Sequence, residues 1–542
     1  MPWVEVNAVR WMRLNMKNQL VMHHEKLARE HTQKEMMHLK TPLPRRLNQT
    51  VQLIKERFYA NKNADFQTRF TSYGRRRAYL IYLQGTVEQA LVEHAILAPL
   101  NHPLPRRRRI HPGIDARLSS LNIKPLKTIE TVSDHLLNGY PVLVIDGERT
   151  AYAFSMSAFP SRQIGKPDNE NVLKGPHEAF TEDIEKNSAL IRRYVRTPKL
   201  IHEMHTLGRQ QKTSISLFYI EGVINPALVD NIKKRLDAID RLDYDQIANI
   251  EQFIEERPYS LLPSMLTTER PDRVAAHLLE GHIAIMQDNF PYAYIAPATY
   301  WTLFHTPEDH YARLPYAWFS RGVRTIAFFL TLLTPAAYVA VTNYHLEMIP
   351  IALLMAIAGT REMVPFPVIL EILLMEFSFE LIREASIRIP SQIGPTIGIV
   401  GAIILGQAAV QANIVSPIMV IVVAITGLAS YAHPDLSFGF AIRIARFFFI
   451  AAAATLGFLG IALLLAAALA YAVSFKSFGV GYFTPWAPYV PSSHDVFLRK
   501  PLPNETVMPL SNMPVQKTKA NRKRYLSLDK SDPWRKRRRW HP

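Results

Sequence analysis

Phe447-Phe-Phe-Ile-Ala-Ala-Ala-Ala-Thr-Leu-Gly-Phe-Leu-Gly-Ile-Ala-Leu-Leu-Leu-Ala-Ala-Ala-Leu-Ala-Tyr-Ala-Val-Ser-Phe475 runs for 29 residues without Asp, Glu, Lys or Arg. About 20 apolar residues already cross a bilayer as a helix, so a purely soluble enzyme is excluded. Upstream, Ile389 to Pro434 is also free of formal charge. Within it, Ile397–Asn413 and Val415–His433 read as two spans joined by a tight turn. Thr325–Tyr344 is a further uncharged segment, preceded by Arg321 and Arg324, which places its N-terminal end on the cytoplasmic side. Met348–Thr360 has only 13 residues and is interrupted by Pro350, so it reads as a re-entrant or half-helix piece. The expectation is about four spans plus one short re-entrant segment, although Arg443 and Arg446 then fall on the outer side.

Ahead of this region the pattern differs. Ala78–Gly85, Val142–Gly147, Ile215–Gly222 and His282–Asp288 are β-branched and aromatic runs that stop at Gly or Asp, as strands do. Leu47–Phe58 and Ala227–Asp240 carry apolar residues at helical spacing between and before them. The predicted fold is α/β or α+β, a soluble N-terminal region of two related subdomains followed by an α-helical membrane domain. The expected divisions are a basic extension (1–41), two soluble subdomains (42–197 and 198–320), a helical membrane domain (321–478) and a basic tail (479–542).

The formal charge is +17, and residues 499–542 alone hold +10. Arg535, Lys536, Arg537, Arg538 and Arg539 lie between Trp534 and Trp540. After a membrane segment, such a run reads as an anchor on anionic lipid rather than as a nucleic-acid site, and places the tail on the cytoplasmic side. Val9–Leu39 reads as a basic surface helix carrying His23, His24, His31 and His38, with no secretory signal. The absence of Cys excludes disulfides, thiolate zinc sites, thiol catalysis and a lipidated cysteine.

Enzyme motifs fail on spacing. His202-Glu-Met-His205 is one residue short of the helical zinc pair, and Gly208–Thr213 lacks the length and second glycine of a phosphate loop; no catalytic residue, metal or cofactor is expected. The stronger candidates sit near the membrane. Glu347 and Glu362 bracket the short segment, and Glu376, Glu380 and Glu384 follow at i, i+4 and i+8 after Glu371. A ring of such carboxylate faces would attract cations. Alternatively, Arg383 and Arg388 pair with them, or the segment lies along the interface with its charges in water. Gly394, Gly398, Gly401 and Gly406 make a small-residue face suited to close helix packing. Gln407 and Gln411 in the same helix line a pathway or bond to a neighbouring helix, and either role turns this helix toward protein.

The stretch Arg388-Ile-Pro-Ser-Gln-Ile-Gly-Pro-Thr-Ile-Gly through Ser416-Pro417 resembles the signature of the GerA family of spore germination proteins, in particular the A subunits of nutrient germinant receptors, with the SpoVAF type as a related branch. Gly175–Phe180 with Asn187 and Arg192-Arg193, Tyr219–Gly222 with Asn225-Pro226, Arg235-Leu236, Pro307-Glu-Asp309, Pro365-Phe-Pro367 with Glu371, and Lys476–Gly479 fit the same family. The resemblance implies a cytoplasmic two-subdomain region on a membrane domain in the spore inner membrane. It also implies a transporter-like B-type subunit and a C-type lipoprotein subunit as partners, and a homo-oligomeric ring conducting cations when nutrient binds. Glu347, Glu371, Glu376, Glu380, Gln407 and Gln411 are the expected ion-pathway residues. A non-conducting scaffold is the rival expectation. Gln287-Asp288-Asn289, the long N-terminus and the basic tail depart from the family pattern.

Overall fold

In the computed structural model of the chain, residues 41–101, 122–159, 174–208, 212–239, 250–387, 394–490 and most of 495–518 are described, with a few isolated positions between. The helix expected over Val9–Leu39 and the basic run Arg535–Arg539 lie outside the described residues.

The first unit is a five-stranded antiparallel sheet. Its elements are helix α1 (Leu47–Arg57), strands β1 (Phe66–Tyr73), β2 (Arg76–Leu83) and β3 (Ile123–Leu126), helix α2 (Ile129–Leu137), and strands β4 (Val142–Ile145) and β5 (Ala151–Phe154). The strand order is β1-β2-β4-β5-β3. Leu47, Val51 and Ile54 of α1 fall on one helical face. With Ile129, Val132 and Leu136 of α2 they cover one side of the sheet, while Val92, Ile96 and Leu100 cover the other. Helix α2 starts where the Thr128 hydroxyl accepts from the Thr131 amide, filling one of the donors a helix start leaves unmade.

The second unit repeats this plan. It comprises α3 (Ile184–Tyr194), β6 (Leu200–Leu207), β7 (Thr213–Ile220), α4 (Pro226–Asp237), β8 (Leu266–Thr268), α5 (Pro271–Leu279), β9 (Ile283–Gln287) and β10 (Ala293–Ala296), with strand order β6-β7-β9-β10-β8. Position by position, this is the order of the first sheet. All pairings are antiparallel, so the packing is α+β. The four strands legible in the sequence are β2, β4, β7 and β9, the second and third strands of each sheet. Helix α4 opens at Asn225, whose side chain accepts from the Ala227 amide, with Pro226 in the first turn where a missing N–H costs nothing.

From Leu314 to Ser474 the chain is helical: α6 (Leu314–Tyr344), α7 (Ile351–Arg361), α8 (Val368–Ile387), α9 (Gly394–Gln411), α10 (Pro417–Ser430) and α11 (Leu436–Ser474). By length and composition α6 and α11 can cross a membrane, whereas α7 and α10 are shorter apolar helices. Helix α6 begins well before the uncharged stretch at Thr325, because Arg321 and Arg324 are buried within it. Helix α11 is interrupted at Gly457, with φ 62° and ψ −139°, a conformation open to glycine alone. A Cβ there would lie 3.1 Å from Cβ of Tyr344. The Tyr344 hydroxyl donates to the carbonyls of Ala454 (2.6 Å) and Thr455 (3.0 Å), which lie in the turn leading into the break.

One hydrophobic core joins the second sheet to the helices. Leu190, Val274, Leu278, Ala284 and Ile295 are continuous with Leu332 and Val339 of α6, Met419 of α10, and Phe449 and Ile450 of α11. After α11 the chain returns to the sheet, where the Ser477 hydroxyl accepts from the Ala298 amide (3.0 Å) and donates to the Ser264 carbonyl (2.6 Å).

Candidate functional site

Four arginines, Arg192, Arg270, Arg321 and Arg446, are among the largest fully buried side chains. A buried guanidinium must be paired and hydrogen-bonded to be tolerated, so each marks a place where the sequence commits to an ionic contact. Three of them sit at interfaces between parts of the fold.

The first interface joins the two sheets. Arg192 on α3 donates from Nε to Asp65 (2.5 Å) and from Nη2 to Asn63 (2.8 Å), both on the segment entering β1. Asp65 also accepts from Ser188 (2.7 Å) and pairs at 2.6 Å with Nδ1 of His202, whose Nε2 meets Ser216 Oγ at 2.7 Å. Burial raises the Asp65 carboxyl, but the charges of His202 and Arg192 outweigh it and hold the group far below the usual carboxylate range. Ser216, His202 and Asp65 follow the hydrogen-bond order of a hydrolase triad. Ser216 is 0% exposed in the middle of β7 and His202 3%, so no substrate carbonyl reaches the serine. The three residues hold the sheets together. His202 and His205 lie on β6, a strand, so the helical zinc geometry does not arise.

The second interface lies where the sheets meet the helices. Asp309 accepts from Arg321 Nε (3.1 Å) and from both terminal nitrogens of Arg324 (2.9 and 2.6 Å). Arg321 reaches on to Asp495 at 2.6 Å, and Arg499 donates to the Asp309 carbonyl at 2.8 Å. Burial pushes the Asp309 carboxyl up, yet the two guanidiniums win and bring it to about 2. His305, against the Val496 carbonyl at 2.7 Å, is lowered to about 4 by burial and then by Arg321, and is therefore neutral. One carboxylate thus ties together the end of the sheet region, the start of α6 and the segment around 495–499.

The third interface lies among the helices. Glu371 accepts from both the amide and the hydroxyl of Ser416, each at 2.6 Å. Arg446 on α11 sits 2.8 Å from Glu376 and 3.0 Å from Glu380, and Arg443 lies 3.0 Å from Glu380. Arg383 is 3.9 Å from Glu380 and donates to Ser430. Arg443 and Arg446, which the four-span expectation put on the outer side, are the counter-charges of Glu376 and Glu380. The sequence offered a carboxylate face toward water or a vestibule, or pairing with Arg383 and Arg388; Arg383 does lie at ion-pair distance from Glu380, and Arg388 is outside the described residues. In the single chain Glu371 and Glu376 are 1% and 0% exposed, and the outward residues of α8 are Leu370, Leu373, Phe377 and Leu381. Glu371 and Glu376 thus face inward beside the buried Val368, Ile372 and Met375, Glu380 is half-buried, and Glu384 near the end of α8 is exposed.

The remaining expected residues separate. Glu347 is exposed in the short turn Leu346–Met348, and Gln407 and Gln411 are exposed on α9 beside Ile404 and Ala408. Gly406 packs against Val420 of α10 and Gly401 against Ile382 of α8. Gly394 and Gly398 lie on the first turns of α9. The reading missed Asp65, His202, Arg321, Arg324 and Arg446 as paired groups. Asp309 and Arg192 did lie inside quoted motifs, and the Lys476–Gly479 motif proves to be a docking point, with Arg235 over the Phe478 ring at 5.4 Å.

The family model described as Bacillus/Clostridium GerA spore germination protein matches residues 52–510. Spore germination protein KA of Bacillus subtilis (strain 168) is 39% identical over 412 residues, 76% of each chain. Spore germination protein GerLA of Bacillus cereus is 38% identical over 72% of this chain and 79% of its own. Spore germination protein A1 of Bacillus subtilis (strain 168) is 36% identical over 72% of this chain and 82% of its own. The crystal structure of the N-terminal domain of the A subunit of the Bacillus megaterium spore germinant receptor GerK3 covers 48% of this chain and 98% of that domain, at 29% identity and a TM-score of 0.38. With a family match across most of its length, and relatives identical to it at more than a third of the aligned positions, this chain belongs to the GerA family of spore germination proteins.

Proposed function

We propose that this chain is the membrane-embedded A-type subunit of a spore nutrient germinant receptor, working with a transporter-like B-type subunit and a C-type lipoprotein subunit. It forms a homo-oligomeric ring in the spore inner membrane that passes cations when a partner binds nutrient. The sheets and the basic tail are cytoplasmic, and the tail binds anionic lipid. The observation that carries this reading is the outward face of α9. A charge-free helix exposes Gln407 and Gln411 one turn apart, flanked by Ala408 and Ala412. Primary amides facing hydrocarbon are costly, and small neighbours allow close approach, so this face suits a neighbouring copy or a water-filled path. The continuous core and the Asp309 cluster supply a route by which a change in the sheets biases the helices.

The test is ion flux from liposomes holding the purified chain, with partners added and withheld. Flux that is altered by Gln407→Leu with Gln411→Leu supports the channel. A second reading, a non-conducting scaffold, draws on Glu376 and Glu380 being neutralised by Arg443 and Arg446. No flux in either condition, from a confirmed oligomer whose partner binds nutrient, moves the assignment to the scaffold.

A further inference from the structure

We propose that His277, Glu280 and His282 form a binding site for a divalent transition metal of the zinc class, at the turn joining α5 to β9. His277 lies in the last turn of α5, Glu280 directly follows the helix, and His282 precedes β9. Gly281 reverses the chain between them at φ +85°, and a Cβ there would lie 3.4 Å from both Pro514 and the Val223 carbonyl. One ligand atom from each of the three residues lies within 4.8 Å of the others. Ligands around a tetrahedral zinc ion with bonds of about 2.1 Å stand roughly 3.4 Å apart, so side-chain rotation suffices to close the site.

The protonation pattern suits a metal. His282 Nδ1 lies 3.0 Å from the His277 carbonyl, so that nitrogen carries the proton and donates, leaving the lone pair on Nε2. A ligating imidazole whose second nitrogen donates to a backbone carbonyl is the usual supporting arrangement at metal sites. His277 Nδ1 is buried and has no hydrogen-bond partner among the described residues. Glu280 adds a carboxylate, giving three protein ligands of the kind found where a fourth position is left open.

Docking of the C-terminal segment is linked to this site. The Asn512 amide nitrogen lies 3.0 Å from His282 Nε2 and donates to its lone pair. A single lone pair serves one partner, so metal entry displaces that amide. The segment holding it is otherwise tied by Val515, which donates to the Val223 carbonyl at 3.0 Å. Metal occupancy and seating of residues 510–515 on the second sheet therefore compete.

The test is titration of chelator-stripped full-length protein in detergent with Co²⁺ alone, followed by visible absorption and by bound-metal stoichiometry. His23, His24, His31 and His38 set a background common to every variant, so the difference between variants is the readout. The double variant His277→Ala with His282→Ala is expected to bind one equivalent fewer than wild type and to lose the ligand-field band. Glu280→Gln, at a half-buried position, should weaken that equivalent roughly tenfold or more, and serves if the double variant does not fold. Asn512→Ala should bind more tightly. Equal stoichiometry and affinity in wild type and Glu280→Gln, or in wild type and a folded double variant, would overturn the site. Weaker binding by Asn512→Ala would overturn the competition.

Discussion

Asp65, on the segment leading into the first sheet, lies 2.6 Å from Nδ1 of His202 on the second, although 137 residues separate them in the chain. Removing one partner from a buried ionic cluster leaves the others desolvated and unpaired, at about 3–5 kcal/mol. Asp65→Ala should therefore lower the detergent melting temperature strongly. Ser216→Ala, which strands only His202 Nε2, should cost about 1–3 kcal/mol. Equal, small effects of both on thermal unfolding would show that this contact does not hold the sheets together.

Much of the fold was legible, for a physical reason. The second and third strands of each sheet are largely buried, so β2, β4, β7 and β9 stand out as apolar runs, whereas β3 and β8 are short edge strands of mixed polarity. Charge-free helices are equally plain. Pairings such as Asp65 with His202 or Glu376 with Arg446 left no local trace, because side-chain spacing along one element says nothing about a partner on another. Glu376, Glu380 and Glu384 did look like one face, but the sequence did not tell inward from outward. The arginines that decide it, Arg443 and Arg446, come more than 60 residues later.

Asp309 is the meeting point of Arg321, Arg324 and the Arg499 side chain. Asp309→Asn keeps the shape and removes the charge, leaving Arg324 without its anion and Arg321 with Asp495 alone. The expected loss is about 3–5 kcal/mol. Arg499→Ala, which removes one donor to the Asp309 carbonyl, should cost about 1–3 kcal/mol. Limited proteolysis between the sheets and α6 should rise in Asp309→Asn well before it rises in Arg499→Ala.

Acid should destabilise the chain in two windows. His305 titrates at about 4 in the folded chain, below its ordinary value of about 6.5. The unfolded chain therefore takes up a proton that the folded chain refuses, and stability falls as pH drops from about 6.5 toward 4. Asp309, at about 2 against roughly 3.9 unfolded, adds a second loss as pH falls below about 4. His305→Asn should reduce the fall in the upper window of the melting-temperature profile without abolishing it, since burial lowers His277 as well, and should leave the lower window in place.

Gly457 carries a conformation that a Cβ disfavours, beside the end of α6. Gly457→Ala must either bear strain of about 1–3 kcal/mol or straighten α11, which would remove the carbonyls of Ala454 and Thr455 from the Tyr344 hydroxyl. Tyr344→Phe should reproduce part of the loss, since the same carbonyls are then left without that donor. If Gly457→Ala melts like wild type in detergent, the break in α11 is not maintained by this contact.

Glu376 and Arg446 lie 2.8 Å apart at essentially zero exposure, each with the other as its nearest compensation for burial. Glu376→Gln leaves Arg446 with Glu380, itself shared with Arg443, whereas Arg446→Leu leaves Glu376 with no cation at ion-pair distance among the described residues. The arginine substitution should therefore be the more damaging, at a cost of about 3–5 kcal/mol. The double variant Glu376→Leu with Arg446→Leu removes both desolvated charges and should recover most of that loss, because apolar replacement of a buried pair is often neutral. The two helices would then be joined by packing and by the Arg443–Glu380 pair. Applied to the flux assay, the same cycle separates structure from conduction. If the double variant assembles like wild type and still conducts, the pair serves to join α8 to α11. If it assembles but no longer conducts, the charges themselves belong to the path.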